Sequence, residues 1–471
     1  MLMNVIHHLG ASTQFTDRYK RLELSMNSLT VFMDIAKDPV VKKFKRLLHS
    51  LARKKPDQEE ILLSYFAFLN SLAENSWRDY LVETLLRTAN FFAEAVAEKD
   101  VTKISLSLQT KAGRDMEIIQ EAAGLSSQEI IEYVKASLAE QFSDRQNQIF
   151  EGHIYPENWP VWDNAINCDF QEQSKEAPAM RWLNKEKAAL KREFLGASRW
   201  SSILDKLAAY YAKVGWGIFS KYMVFHFNEQ TAGKLEGIAK PDPVILNQLI
   251  AQEREQKIIL DNTEYFLRGY RANNIILYGN RGTGKSSLVK ALQNEYPDRK
   301  LRIVQLKKNQ IGYFPEFVQL LAGFPYKFIV FIDDLSFDNL EQDYKNLKSL
   351  LEGGVEARPD NVLIYATSNR RHLVRETFDE RSGDEVHVQD NIEEKLSLAD
   401  RFGITVTFLS PDQSSYLRIV EGLAEQEGIS IPKEALRQKA LQWVMMHNGR
   451  SGRTARQFLD HLQGELDIKK E

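Results

Sequence analysis

The chain has 471 residues, 43% of them hydrophobic and 27% charged, with a net charge of −3. That length predicts two to four domains, and the composition is that of an ordinary soluble globular protein with no global pull toward nucleic acid. The single cysteine, Cys168, excludes an intramolecular disulfide and a thiolate metal cluster, which fits a reducing cytoplasm.

The opening MLMNVIHHLG lacks a charged stretch followed by an apolar one, so no signal peptide is expected. No apolar run approaches the ~20 residues of a spanning helix, which predicts no membrane partner and a cytoplasmic location. Residues 37–55 carry Lys42, Lys43, Lys45, Arg46, Arg53, Lys54 and Lys55, interleaved with Val41, Phe44, Leu47, Leu48 and Leu51. This predicts an amphipathic helix with a wet basic face; contact with a phosphate backbone is the alternative. Ile61, Leu62, Tyr65, Phe66 and Leu69 recur at helical spacing, and Ser76 with Asp79 and Ser126 with Glu129 mark capped helix starts. Ile104, Leu106 and Leu108 alternate with polar residues, which predicts a short strand. Residues 155–162, YPENWPVW, break regular structure through their prolines, and their tryptophans favour burial, as in an ordered loop packed on helices. Helical spacing returns over 180–211, and the aromatic-rich stretch 216–227 reads as a strand.

A polar stretch, 228–243, holds Gly233, Gly237, Pro241 and Pro243 and marks the main boundary. An amphipathic helix is expected over 246–266. The apolar strand 275–278 then runs into residues 279–286, GNRGTGKS, and helical spacing resumes at 287–292. Strand, glycine loop and helix in that order predict a phosphate cradle. The glycines let backbone N–H groups turn toward phosphate oxygens, and the new helix adds the positive end of its dipole. The expected nucleotide-binding residues are Gly279, Asn280, Arg281, Gly282, Thr283, Gly284, Lys285, Ser286 and Ser287, with Lys285 on the β and γ phosphates and the Ser286 hydroxyl on Mg²⁺.

Further strands are expected over 301–306, 328–332, 362–367 and 404–408, with helical stretches around Leu288, Phe317, Leu347 and Leu396. Such alternation predicts a parallel sheet with helices on both faces, and ligands at the carboxyl ends of its strands. The run KFIVFIDD ends there in two acids: Asp333 as metal ligand and Asp334 to orient or deprotonate the attacking water. Asn369 ends the next strand and is placed to contact the γ-phosphate or the water; bonding its own turn is the alternative. Arg401 precedes the last strand, either as an arginine finger into a neighbouring subunit or as the surface partner of Asp400. Three C-terminal helices follow. Arg453, in the first turn of the third, is favoured to reach the nucleotide, with Arg456 as its rival. The acidic stretch 376–390, with His387, matches no metal-ligand spacing and reads as a solvated loop.

Phosphate loop, acidic strand, strand-end Asn, Arg and helical lid, in this order, resemble the AAA+ ATPase superfamily. The runs ILYGNRGTGKSSLVKALQNEY, FIDDLSF, EEKLSLADRFG and GRSGRTARQF resemble more closely a bacterial family catalogued as domain of unknown function 815. The resemblance implies a P-loop α/β core with a parallel sheet, a helical lid, and ATP and Mg²⁺ as ligands. It also implies ATPase activity and a homo-oligomer joined through Arg401. It names no client, protein or nucleic acid. Lys285 and Ser286 match the Walker A pair, Asp333 the Walker B metal ligand, Asn369 sensor 1, Arg401 the finger and Arg453 sensor 2. Many members of the superfamily carry Glu where this chain has Asp334. Its carboxylate sits about 1.5 Å further back, which implies slow, switch-like hydrolysis. The expected organisation is a helical N-terminal domain (1–150), a Trp/Pro-rich connecting and helical region (151–235), the ATPase core (236–410) and the lid (411–471).

Overall fold

The computed structural model describes residues 2–53, 57–73, 75–98, 104–141, 152–163, 176–231, 234–335, 351, 359–369, 401–447 and 449–468. Cys168, the stretches around Leu347 and Leu396, and the acidic stretch 376–390 lie outside them. The chain divides into two compact units, residues 1–171 with 183–221 and residues 172–182 with 222–471. Among the described residues no helix is long and apolar enough to cross a membrane.

Helices carry the first unit, beginning with α1 (Leu2–Asn27), α2 (Pro39–Leu51), α3 (Gln58–Leu72) and α4 (Trp77–Arg87). Next come α5 (Phe91–Glu98), α6 (Leu106–Ala123) and α7 (Ser127–Gln141), and later in the chain α8 (Pro178–Gly196), from Leu183 on, and α9 (Leu204–Lys213). Side-chain caps fix several starts: Asp38 Oδ1 accepts from Val40 N, and Ser76 Oγ from Asp79 N at 3.1 Å. On α2, Val41, Phe44, Leu47, Leu48 and Leu51 are fully buried while Lys42, Lys43 and Arg46 face water, so the basic face is the wet side of an amphipathic helix. Trp159 and Trp162 are buried against Tyr65, whose hydroxyl donates to Pro160 O at 2.6 Å. The turn-rich stretch is thus an ordered, packed loop.

The strand expected at 104–108 is instead the start of α6. Ser105 Oγ accepts from Leu108 N, and the helix buries Ala112, Met116, Ile119 and Ala123 on one face while Leu106 stays exposed. Three alternating residues carried too little pattern to outweigh a capped helix whose core positions lie further on.

The second unit holds a seven-stranded sheet, ordered β2-β1-β4-β5-β6-β3-β7. Its strands are β1 (Val224–Phe227), β2 (Leu235–Gly237), β3 (Ile275–Gly279), β4 (Leu301–Leu306), β5 (Lys327–Ile332), β6 (Val362–Ser368) and β7 (Ile404–Phe408). All neighbours run parallel except the β1–β2 pair. Only the end of the 216–227 stretch is strand, because a 3-10 turn at Gly217–Ser220 precedes it. Helix α10 (Glu253–Leu267) starts later than its apolar pattern, after a 3-10 turn at Leu246–Gln248 and a left-handed Ala251 (φ 63°).

Helices α10 and α11 (Lys285–Glu295) pack Ile259, Phe266, Leu288 and Leu292 on one face of the sheet, against Ile275, Leu277, Ile303, Ile329 and Leu363. The alternate residues Ile276, Val304, Val330 and Ile364 are buried too. Burial on both faces explains why these strands read as unbroken apolar runs. Tyr365 ties sheet to helix: its hydroxyl meets Thr263 Oγ1 at 2.8 Å and accepts from Asn262 Nδ2 at 3.1 Å. Helix α12 (Phe314–Ala322) follows β4. The lid helices α13 (Gln413–Gln426), α14 (Lys433–Met446) and α15 (Gly452–Ile468) share a core of Tyr416, Val420, Leu436, Ala440, Phe458 and Leu459. A parallel sheet with the loop-bearing β3 between β6 and β7, flanking helices and a three-helix lid make this an AAA+-type α/β fold.

Candidate nucleotide site

The chain leaves β3 and returns in β4, three places away across the sheet, with β6 and β5 between them. Such a reversal leaves a crevice at the carboxyl ends of the strands. Register does the rest: Tyr278 pairs with Ser368 and Ile332 with Ala366, so the residues just past β3, β5 and β6 emerge side by side.

The phosphate loop wraps its own lysine. Lys285 Nζ donates to Gly279 O (2.6 Å), Asn280 O (2.8 Å) and Asn369 Oδ1 (3.0 Å). Burial lowers the Lys285 pKa from the ordinary lysine range, against the opposing pull of Asp333 and Asp334. Two glycines are required by space as well as by φ. Gly284 (φ 93°) would put a Cβ 2.5 Å from Gln252 Nε2, and Gly282 (φ 77°) would put one 2.9 Å from Ser451 Oγ in the lid. Gln252 Nε2 donates to Thr283 O at 2.8 Å and Asn280 Nδ2 to Ser410 Oγ, bracing the loop from two sides, while Thr283 Oγ1 donates to Asn280 O within it.

The acids are organised by Thr367. Its Oγ1 donates to Asp333 Oδ1 (2.6 Å) and accepts from Asp334 N (2.9 Å). Ser286 Oγ donates to the same Asp333 oxygen at 2.6 Å. Asn369 Nδ2 donates to Asp334 Oδ1 at 2.6 Å. Asp334 itself sits in the left-handed region (φ 54°), a conformation that Asp tolerates at a cost of about 1 kcal/mol.

A cavity of about 650 Å³ gathers Arg281, Lys285, Ser286, Ser287, Asp333, Asp334, Thr367, Asn369, Arg453 and Arg456, with Ile250, Ile419 and Leu423 on an apolar side. The lid reaches the loop where Arg453 N meets Gly282 O at 3.4 Å. Both candidate lid arginines line the cavity, and Arg456 also lies 3.9 Å from Glu427. Arg401 lies elsewhere. It precedes β7, whose first residue pairs with the first residue of β3, so it stands about 16 Å, one strand length, from the loop end of the sheet. The organising Thr367 was missed from the sequence, although it stands two residues before Asn369 and therefore shares its face of the strand. Gln252 carried no signal, being brought to the loop by the turn before α10.

The model of a family described as "Protein of unknown function (DUF815)" matches residues 220–466, just over half of the chain. The chain belongs to the DUF815 family. The match takes in all seven strands and runs from just before β1 into α15. The sheet order and the loop between β3 and α11 give the DUF815 chain an AAA+-type fold. Among solved structures it is similar to a mutant of Thermotoga maritima RuvB, at 17% identity over 48% of this chain and 68% of that one, with a TM-score of 0.35. It is similar also to the Thermotoga maritima RuvB Holliday junction branch migration motor, at 16% identity over 47% and 72%, with a TM-score of 0.29. No curated protein matches the DUF815 chain.

Proposed function

We propose that this chain binds Mg-ATP at the loop of residues 279–286 and hydrolyses it slowly, coupling turnover to the remodelling or assembly of a protein or nucleic-acid client. One observation carries the reading: Lys285, Ser286, Asp333, Asp334, Asn369 and Arg453 converge on a single cavity at the carboxyl ends of parallel strands. Lys285 and the loop N–H groups hold the phosphates. The donor set suits Mg²⁺. Ser286 Oγ and Asp333 Oδ1 are adjoining hard oxygens, and Mg²⁺ needs few protein ligands because it keeps waters and phosphate oxygens. The absence, among the described residues, of three or more clustered His, Cys, Asp or Glu is compatible with such a site. Bound Mg²⁺ neutralises charge on the phosphoryl oxygens.

Asp334 orients the attacking water and takes up its proton, and Asn369, bonded to both Lys285 and Asp334, links the phosphate side of the site to the acid. Arg453 supplies positive charge from the lid. Arg401, remote from its own loop, acts on the site of a neighbouring copy, which makes the working form a homo-oligomer.

The geometry at Asp334 favours a second reading, an ATP-gated loader with very slow turnover. A short acid that is held by Asn369 sits less far forward than a Glu would. Steady-state ATPase assays and solution mass with and without Mg-ATP separate the two. Measurable turnover lost in Lys285→Ala supports the enzyme. An ATP-dependent change of mass with negligible turnover supports the loader. Identical turnover in wild type and Lys285→Ala, with mass unaffected by ATP, removes both.

A further inference from the structure

The amino ends of the same strands carry a second cavity, of about 620 Å³, where β4, β5 and β6 begin. Strand β5 spans the two sites: Lys327 opens it, and Asp333 and Asp334 follow its last residue. The cavity wall is apolar along Leu267, Ala322, Phe324, Pro325 and Pro359, and three cations line it, Arg299, Lys300 and Lys327, against one carboxylate, Asp360. The wall is built, since Asn361 Nδ2 donates to Leu321 O (2.9 Å), Phe324 O (2.9 Å) and Tyr326 O (3.2 Å) and so fixes the turn between α12 and β5.

Of the three, only Arg299 has an ion pair among the described residues, and the Asp360 charge acts on Lys327 without a direct contact. Lys327 Nζ donates to a backbone carbonyl, Asp360 O at 3.0 Å, and rests 4.7 Å from the Phe266 ring. Arg299 has a long contact with Glu264, 3.5 Å, and the Lys300 ammonium has no ion pair or hydrogen bond among the described residues. Lys300 is nevertheless half-buried and held at φ 53°, a strained setting for a lysine whose charge finds no partner among the described residues. Burial lowers the pKa of both lysines, and the neighbouring Arg302 lowers that of Lys300 further. Uncompensated, partly desolvated cations mark a place where an anion supplies the missing charge-assisted hydrogen bonds.

The cavity is far larger than a free inorganic ion needs, and its wall is apolar, so the anion comes attached to an apolar body. A nucleic-acid strand is a poorer fit. Tyr326 is buried with the Arg302 guanidinium 5.1 Å from its ring, which leaves no open tyrosine face for a base, and the cations converge on one cavity instead of tracking a backbone. We propose that this cavity docks an acidic segment of a partner protein, with an apolar side chain in the pocket and its flanking carboxylate on Lys300 and Lys327.

The test is fluorescence anisotropy on the full chain at low ionic strength. The probes are a labelled peptide of alternating Glu and Leu or Phe, its Gln-for-Glu counterpart, and a short labelled oligothymidine. The Glu peptide is expected to bind, the Gln peptide and oligothymidine to bind at least about tenfold more weakly, and Lys300→Gln and Lys327→Gln each to weaken the Glu peptide about tenfold, the loss of one charge-assisted bond. Lys300→Asn, which suits a left-handed backbone, serves if Lys300→Gln fails to fold. No binding of the Glu peptide, equal binding by the lysine variants, or tighter, lysine-dependent binding of oligothymidine overturns the proposal.

Discussion

Thr367→Val isolates the internal order of the acidic pair. Valine keeps the shape of a side chain that is 2% exposed and removes only the hydroxyl. Two bonds go: the 2.6 Å donation to Asp333 Oδ1, a bond to a charged group worth about 1.5–3 kcal/mol, and the 2.9 Å acceptance from Asp334 N, worth about 1 kcal/mol. Asp333 keeps Ser286, so the combined loss is about 2–4 kcal/mol, not all of it felt as global stability. The loop, Lys285 and the lid are untouched, so ATP binding by calorimetry should change less than about threefold. Turnover depends on where both carboxylates sit, and misplacement worth about 1.4–2.7 kcal/mol in the transition state lowers kcat by about 10–100-fold. The assay is phosphate release at saturating Mg-ATP beside the calorimetric Kd. Wild-type turnover in a folded Thr367→Val chain would refute the idea that this hydroxyl orders the acids. An equal fall in affinity and turnover would assign it to ground-state binding instead.

If Arg401 acts across subunits, Arg401→Ala and Lys285→Ala should each be inactive alone, and a mixture should recover part of the turnover; a mixture as inactive as its components rules out action in trans. Asp334→Glu should raise kcat by about tenfold with unchanged ATP affinity, since the carboxylate moves forward by about 1.5 Å; unchanged or lower turnover would mean the site is built around the shorter acid. The Tyr365 pKa is pushed up to about 12 by burial, so the fold favours its neutral form. That contribution is fully present below about pH 10 and is lost as pH rises toward 12. Denaturant midpoints should therefore fall less steeply over this window in Tyr365→Phe than in wild type, and parallel slopes would contradict the assignment.

The glycine loop between strand and helix, the five central strands and the three lid helices were legible because each is local. Strand periodicity, glycine spacing and capping residues act within a few positions, so 301–306 and 404–408 could be read to the residue. The 104–108 stretch failed for the same reason in reverse: a three-residue pattern lost to a cap and to core contacts two turns further along α6.

The sequence by itself determined which chemical groups are present: a glycine-rich loop, two acids at a strand end, an Asn, and arginines in order. Only the tertiary structure decided their partners. Thr367 became the organiser of Asp333 and Asp334 because β5 and β6 are neighbours in register, which no spacing along the chain encodes. Parallel strand direction set Arg401 at the far end of β7 from its own loop, the turn before α10 gave Gln252 to the loop, and the pairing of β4 with β5 gathered Lys300 with Lys327 where those strands begin. The physical reason is that side-chain hydrogen bonds and charge pairing depend on distances of about 3–4 Å across strands, while sequence pattern reports only what one strand or helix does alone.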